Sequence, residues 1–89
     1  MKAIVTVVGK DRVGIIGNVC MSLASFNVNV LDISQTVMLG YFTMMMAAEV
    51  SGCTVPLAEL CTEMERIGKE MGLSIRVQRE DIFEAMHRI

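Results

Sequence analysis

The residues best suited to binding chemistry lie in one short loop, GKDRVGIIGNV, at positions 9–19. It contains the charged pair Asp11 and Arg12, and its glycines have the spacing GxxxxGxxG. This is neither the dinucleotide motif GxGxxG nor a P-loop, because Gly14 is followed by Ile15 where a P-loop requires Lys. The spacing therefore does not predict a nucleotide phosphate site.

A small anion such as a carboxylate is the ligand that this loop would favour. Apolar residues recur at helical spacing after the loop, so the loop leads the chain into a helix. The first amides of a helix lack internal partners and carry partial positive charge, which favours an anion. Gly14 has no Cβ, so a ligand could approach the amides of Ile15 and Ile16 closely. A steric need for glycine at a strand-to-helix turn explains the same residues, and both interpretations stay open.

Two polar residues, Asn29 and Asp32, interrupt an otherwise apolar, strand-like segment. A buried amide or carboxylate needs hydrogen-bond partners, so these residues lie either at an exposed sheet edge or in a site. We expect a site.

The sequence shows no catalytic or metal-binding combination. The single histidine, His87, lies near the C-terminus, and Ser22 and Ser25 lie within an ordinary helix pattern. The three cysteines are odd in number and have no CxxC spacing, so we expect buried apolar side chains instead of disulfides or a zinc site. We expect no enzyme activity and no cofactor.

Length and composition predict one domain, residues 1–89, in the cytoplasm. An apolar share of 53% is typical of a folded chain, and a net charge of −2 argues against nucleic-acid binding. The longest apolar stretch, residues 37–48, is far shorter than the ~18 residues that a membrane span needs. We therefore expect no membrane partner.

Hydrophobic periodicity predicts seven elements in the order β-α-β-β-α-β-α. The right-handed crossover rule then places both main helices on one face of a four-stranded antiparallel sheet. This is a ferredoxin-like α+β sandwich, with a core over about 1–79 and a C-terminal helical extension over about 81–89. The predicted strands are 3–8, 28–38, 42–50 and 73–79, and the predicted main helices are 14–26 and 56–71.

The two strands 3–8 and 42–50 are apolar on both faces, although the helices can cover only one face of this sheet. A second copy of the chain is the cover that we expect, because exposed apolar patches on small proteins usually mark interfaces. Partial cover by the chain's own terminal helix is the alternative. The sequence thus predicts self-association, as a dimer.

The segment VVGKDRVGIIGNVCMSLASFNVNVLDISQTV resembles the opening half of an ACT domain, the small-molecule-sensing module of amino-acid metabolism. The second half of the chain agrees with this family only in pattern. The resemblance is nearest to the glycine cleavage system repressor, the ACT region of formyltetrahydrofolate deformylase and small stand-alone ACT proteins. It implies a βαββαβ fold whose copies pair to form ligand sites at their interface.

The ligand-binding residues that the resemblance implies are Asp11, Arg12, Gly14, Ile15 and Asn29. Amides near Gly14 and Ile15 would hold the carboxylate of an amino acid, Asp11 its ammonium group, and Asn29, from the same or the other subunit, would orient it. With no enzyme domain attached, the readout would be a partner enzyme or regulator.

Two departures from the family pattern bear on the ligand. Gly9 stands where the serine-sensing ACT domain of phosphoglycerate dehydrogenase has a ligand-contacting histidine, which weakens the case for serine. Val13 stands where the family frequently has proline. Ordering this loop on ligand binding should therefore cost more entropy than ordering a loop that contains proline. The alternative function is a dimerising protein-interaction subunit that binds no ligand.

Overall fold

The computed structural model describes residues 1–10 and 13–81, and its elements follow the predicted order. They are β1 (Lys2–Lys10), α1 (Ile15–Ser25), β2 (Asn29–Met38), β3 (Tyr41–Glu49), α2 (Leu57–Met71) and β4 (Leu73–Arg79). The strands form one antiparallel sheet in the order β2-β3-β1-β4. The ferredoxin-like α+β sandwich is confirmed. The predicted helix over 81–89 lies, after Asp81, outside the described residues.

The core lies between the two helices and one face of the sheet. Side chains alternate along β1 and β3, so that every second residue is buried under the helices. The largest fully buried side chains are those of Leu23, Met44, Met46, Leu60, Met64 and Ile75. We call the other side of the sheet the open face. Among the central strands' residues it carries Ile4, Thr6, Val8, Thr43, Met45 and Ala47.

Helix α1 ends in the hydrogen-bond pattern known as a Schellman motif. The Asn27 amide donates to the Ala24 carbonyl at 2.9 Å, and the Val28 amide donates to the Leu23 carbonyl at 3.1 Å. Asn27 adopts a left-handed conformation, φ 60°, which asparagine tolerates better than most residues. Asn27 was predicted as the stop of this helix, and the structure confirms it.

The β2–β3 hairpin turns through Leu39 and Gly40 alone, since Met38 pairs with Tyr41. Both turn residues have positive φ, 54° and 80°. Two positive φ angles define the type I′ turn, whose twist matches that of the flanking strands. The turn therefore fixes the register of β2 on β3 from Met38 back to Asp32, and an irregularity at Leu31 then shifts the pairing of Val30 and Asn29 by one residue.

Helix α2 lies close to β4 because position 68 has no side chain. A Cβ built on Gly68 would lie 2.9 Å from the Leu73 carbonyl oxygen and 3.0 Å from Ile75 Cγ1. The helix ends at Gly72, which has φ 73° and caps the last turn. Leu73 then begins β4 with no intervening loop.

Strand β1 continues past the glycine at which the sequence predicted its end. Gly9 pairs with Leu73 of β4 and Phe42 of β3, and the strand ends one residue later, at Lys10. A Cβ on Gly9 would lie 2.4 Å from Leu73 Cδ2. Glycine at this position thus accompanies close packing against Leu73 within the sheet, which local pattern alone could not distinguish from a strand end.

Candidate functional site

The candidate anion site lies at the start of α1. Gly14 is the N-cap residue, with φ 90°, and no side chain caps this end of the helix within the described residues. The first helical hydrogen bond runs from the Asn18 amide to the Gly14 carbonyl at 2.9 Å, so the preceding amides, from Ile15 onward, have no partner inside the helix. The Ile15 side chain itself is 2% exposed and belongs to the core. Only its backbone could contact a ligand.

The two charged residues predicted for this site, Asp11 and Arg12, lie outside the described residues. Their predicted roles remain predictions. The chain on either side is described: β1 ends at Lys10, and Gly14 opens α1.

The other predicted contact, Asn29, is the first residue of β2 and is exposed. It pairs with Glu49 of β3, which in turn pairs with Lys2 of β1. The same strand carries Asp32, which is also exposed and whose Oδ1 accepts a hydrogen bond from the Ile33 amide at 2.9 Å. Of the two explanations for these polar residues, exposure at a sheet edge is the one that the fold provides.

Within one chain, Asn29 and Gly14 lie at opposite ends of the sheet. Asn29 is level with Lys2, whereas Gly14 follows Lys10 at the far end of β1. A nine-residue strand spans about 26 Å at the usual rise per residue. The structure therefore does not bring the predicted contacts together in a single protomer.

A network around the terminal ammonium group of Met1 lies beside Asn29. The ammonium donates to Glu49 Oε2 at 2.8 Å and to Ser51 Oγ, and the Ser51 hydroxyl donates to Glu49 Oε2 at 2.9 Å. These bonds, that of the ammonium first, lower the pKa of the Glu49 carboxyl to about 2. Glu49 is thus already paired with a positive charge, although it adjoins Asn29.

Gly9, which stands where the serine-sensing pattern has a histidine, lies close to the start of β4. A Cβ here would lie 2.4 Å from Leu73 Cδ2, so the Leu73 side chain would have to shift before a larger residue could occupy the position. This contact joins residues 64 positions apart, so the sequence pattern alone could not reveal it.

Two surface grooves lie elsewhere on the domain. One, of about 290 Å³, runs between α2 and β4 and is lined in part by Glu65, Lys69 and Arg76. The other, of about 90 Å³, is smaller and lies beside Asp32 and Met45. Neither is lined by any of the five predicted ligand-binding residues, although the smaller one includes Asp32, so groove shape does not mark the start of α1.

The cysteines have the surroundings of structural side chains. All three are free and half-buried, and the Cys61 thiol donates to the Val77 carbonyl at 3.2 Å. Burial, followed by the nearby charge of Glu65, raises the pKa of this thiol, which keeps it protonated. Across residues 1–10 and 13–81, no cluster of side chains has the composition of a metal site.

The fold places this chain among ferredoxin-like α+β domains, and comparison with known proteins identifies its family. The sequence pattern of the ACT domain matches residues 2–78. A UPF0237 protein of Listeria innocua is 48% identical over 89 residues, which is the full length of both chains. The chain belongs to the ACT domain family.

Solved structures agree with this assignment. An ACT domain protein from Streptococcus pneumoniae is 43% identical, with a TM-score of 0.83 over 94% of each chain. Two more distant structures share the fold. A formyltetrahydrofolate deformylase from Pseudomonas syringae has a TM-score of 0.79 over 88% of this chain and 27% of its own, at 23% identity. A putative glycine cleavage system transcriptional repressor has a TM-score of 0.72 over 86% of this chain and 44% of its own, at 22% identity.

The resemblance noted from the first half of the sequence is therefore confirmed for the family. ACT domains are generally regulatory modules that bind small molecules. Neither helix in the described part of the chain has the length and apolar character that crossing a bilayer requires.

Proposed function

We propose that this chain is a regulatory module that senses an amino acid, acts as a homodimer and binds its ligand at the subunit interface near Gly14. The separation of the two predicted contacts is the observation that carries this proposal. Gly14 and Asn29 lie at opposite ends of one protomer's sheet, so a site that uses both needs two protomers. The family's general role as a small-molecule-binding module supports the same conclusion.

Strand β2 is the surface through which the two copies pair. It is a sheet edge of ten residues, and its exposed apolar side chains include Ile33 (41%), Val37 (54%) and Met38 (67%). It contains no Lys, Arg or Pro, the residues that commonly protect an edge from pairing. An edge of this kind favours extension of the sheet by a second strand.

Antiparallel pairing of two β2 strands would complete the site. If all ten residues pair, Asn29 of the partner subunit lies opposite Met38. Met38 is the last residue of β2 and pairs with Tyr41, which is level with Lys10 at the end of β1. The second copy would thus carry its asparagine to the end of the sheet at which α1 begins.

The proposed ligand chemistry assigns one group to each contact. The amides at the start of α1, which have no partner inside the helix, bind the carboxylate, and Asp11 binds the ammonium group. Arg12 lies in the same loop, and Asn29 of the partner subunit orients the ligand. Glu49 takes no part, because the Met1 ammonium already occupies it.

Ligand binding would regulate by stabilising one dimer arrangement. A ligand that contacts both subunits shifts the equilibrium between two dimer arrangements only as far as its affinities for the two arrangements differ. We propose that residues 1–89 form one domain in the cytoplasm, where a partner enzyme or regulator reads the change. The proposed module performs no reaction of its own and needs no cofactor.

A thermal-shift screen against the twenty amino acids tests this proposal. A ligand at ~100 times its dissociation constant should stabilise the fold by about 2.7 kcal/mol. Asn29→Ala should abolish the shift, whereas Thr36→Ala, a matched change at another exposed residue of β2, should preserve it. A flat screen on dimeric wild-type protein would favour the alternative, a dimerising interaction subunit that binds no ligand.

A further inference from the structure

The groove of about 290 Å³ between α2 and β4 runs along an edge of the sheet. Strand β4 pairs with β1 on one side only, so its other side is an edge. Residues from both faces of this strand line the groove, since Leu73 and Ile75 are buried under the helices while Ser74 and Arg76 are exposed. A groove that contacts both faces of one strand includes the edge between them.

Backbone groups of β4 are open to this groove. The Leu73 carbonyl oxygen lies 2.9 Å from the position of a Cβ on Gly68. The Val77 carbonyl accepts a hydrogen bond from the Cys61 thiol at 3.2 Å. Both carbonyls therefore point towards α2 and away from β1. Residues two apart in a strand direct their backbone groups to the same side, so the N–H and C=O groups of Ile75 are available to a further strand.

Three charged side chains line the same groove. Glu65 and Lys69 lie about one turn apart on α2, and Arg76 lies on β4. Within residues 1–10 and 13–81, none of these three belongs to an ion pair. Two positive charges and one negative charge give the groove an excess of positive charge, which favours an acidic occupant.

A second copy of β4 is a poor occupant of this edge. The strand, LSIRVQR, has two arginines and no acidic residue. If its seven residues paired with those of another copy in antiparallel fashion, Arg76 would lie opposite the partner subunit's Arg76. Like charges directly opposite each other destabilise a strand pair. The β4 edge is therefore protected against its own copy and open to a strand with acidic side chains.

We propose that an extended, acidic segment of a partner protein adds to the β4 edge as a further strand. Hydrogen bonds to the backbone of Ile75 hold the segment, and acidic side chains beside Arg76 select it. This proposal rests on the proposed function for the existence of a partner enzyme or regulator. Strand addition to β4 needs no amino-acid ligand, so its test succeeds or fails independently of ligand sensing.

A fluorescein-labelled peptide of seven alternating valines and glutamates, blocked at both ends, tests the proposal on the full-length chain. Side chains of directly opposite residues share a face of the sheet. When the glutamates lie on the open face beside Arg76, the valines are therefore the residues that pair with Ile75. Fluorescence anisotropy should show saturable binding of this peptide, and no binding of a valine–lysine peptide with the same label.

N-methylation of the peptide distinguishes strand addition from attraction between charges alone. Methyl groups on the valine amides remove the hydrogen bonds to Ile75, whereas methyl groups on the glutamate amides point away from β4. The two methylated peptides have the same charge. Methylation of the valines should abolish binding, and methylation of the glutamates should preserve it.

Arg76→Glu should reverse the charge preference of the groove. We expect the valine–glutamate peptide to bind at least about fivefold more weakly and the valine–lysine peptide to gain binding. A misfolded variant would not produce such a gain. Arg66→Glu is the matched control, because it makes the same charge change at a residue of α2 that does not line the groove. It should leave the affinities of both peptides unchanged.

Three results would overturn the proposal. One is the absence of saturable binding of the valine–glutamate peptide at protein concentrations up to the millimolar range. Another is equal affinity of the two methylated peptides, which would mean that no strand is added. The third is a dimer that dissociates in sedimentation analysis as the peptide binds, which would assign the β4 edge to a second copy.

Discussion

Gly14 is the residue at which the backbone of the candidate site is most restricted. Its φ of 90° is one that residues with a Cβ rarely adopt, while the nearest atom to that Cβ would be Asn18 Nδ2 at 3.6 Å. The backbone conformation at Gly14, and not a lack of space, is therefore the obstacle to a side chain at this position. We expect Gly14→Ala to lower the free energy of unfolding by about 1 kcal/mol in denaturant titrations. Gly17→Ala, where no atom lies within 4 Å and φ is not positive, is the control and should not destabilise.

Glu49 should make stability depend on pH in the acid range. Its carboxyl has a pKa of about 2 in the folded chain, against 4.5 for the unperturbed group. Because the pKa of Glu49 is lower in the folded chain than in the unfolded chain, its carboxylate stabilises the fold at pH values above about 4.5. This stability is lost as the pH falls from about 4.5 towards 2. Unfolding titrations of the wild type and Glu49→Gln should therefore differ at pH 6 and converge near pH 2. An equal difference at both pH values would contradict this account.

The sequence alone could not establish the surroundings of individual polar residues. Asn29 and Asp32 interrupt an apolar pattern, and that pattern is the same for a central strand with a site and for an exposed edge. Strand order decides between these, and it depends on pairing between β2 and β3 and on nothing local to β2. Asn27 was predictable because its helix stop is a local signal.

At the scale of the elements, two helical glycines should respond oppositely to the same substitution. A Cβ on Gly68 would lie 2.9 Å from the Leu73 carbonyl oxygen, so Gly68→Ala must push α2 away from β4. We expect a loss of about 1–3 kcal/mol, which exceeds the gain in helix propensity of ~1 kcal/mol. Thermal unfolding should show a lower Tm for Gly68→Ala. A higher Tm, as expected for Gly17→Ala, would mean that the helix shifts freely on the sheet.

The elements themselves were predictable because each has a strong local signal. The stripe of α2, its Pro56 start and its Gly72 cap together defined a helix over 56–71, and the structure has Leu57–Met71. The end of β1 was less predictable. Gly9 is a usual signal for a strand end, but here its pairing with Leu73 continues the strand to Lys10.

At the scale of the whole molecule, the two sheet edges should differ in their effect on assembly. A lysine in the middle of β2, Ile33→Lys, would place like charges near one another in an antiparallel pair and oppose pairing. We expect sedimentation analysis to show at least a tenfold weaker dimer, with an unchanged far-ultraviolet circular dichroism spectrum.

Ser74→Lys is the matched control, because it adds the same charge to the other edge strand, β4. It should leave the dimer intact. Dissociation by Ser74→Lys with an intact Ile33→Lys dimer would assign the interface to β4 and remove the geometric support for a shared site.

The separation of Gly14 and Asn29 along the sheet has a genetic consequence. In a two-fold dimer each site would take its α1 loop from one chain and its asparagine from the other. A chain with a defective loop and a chain with Asn29→Ala would each be inactive alone, yet their mixed dimer would contain one fully native site. Co-expression of the two inactive variants should therefore give mixed dimers that bind half as much ligand as wild-type dimers do. Such complementation would not occur if each site were contained within one chain.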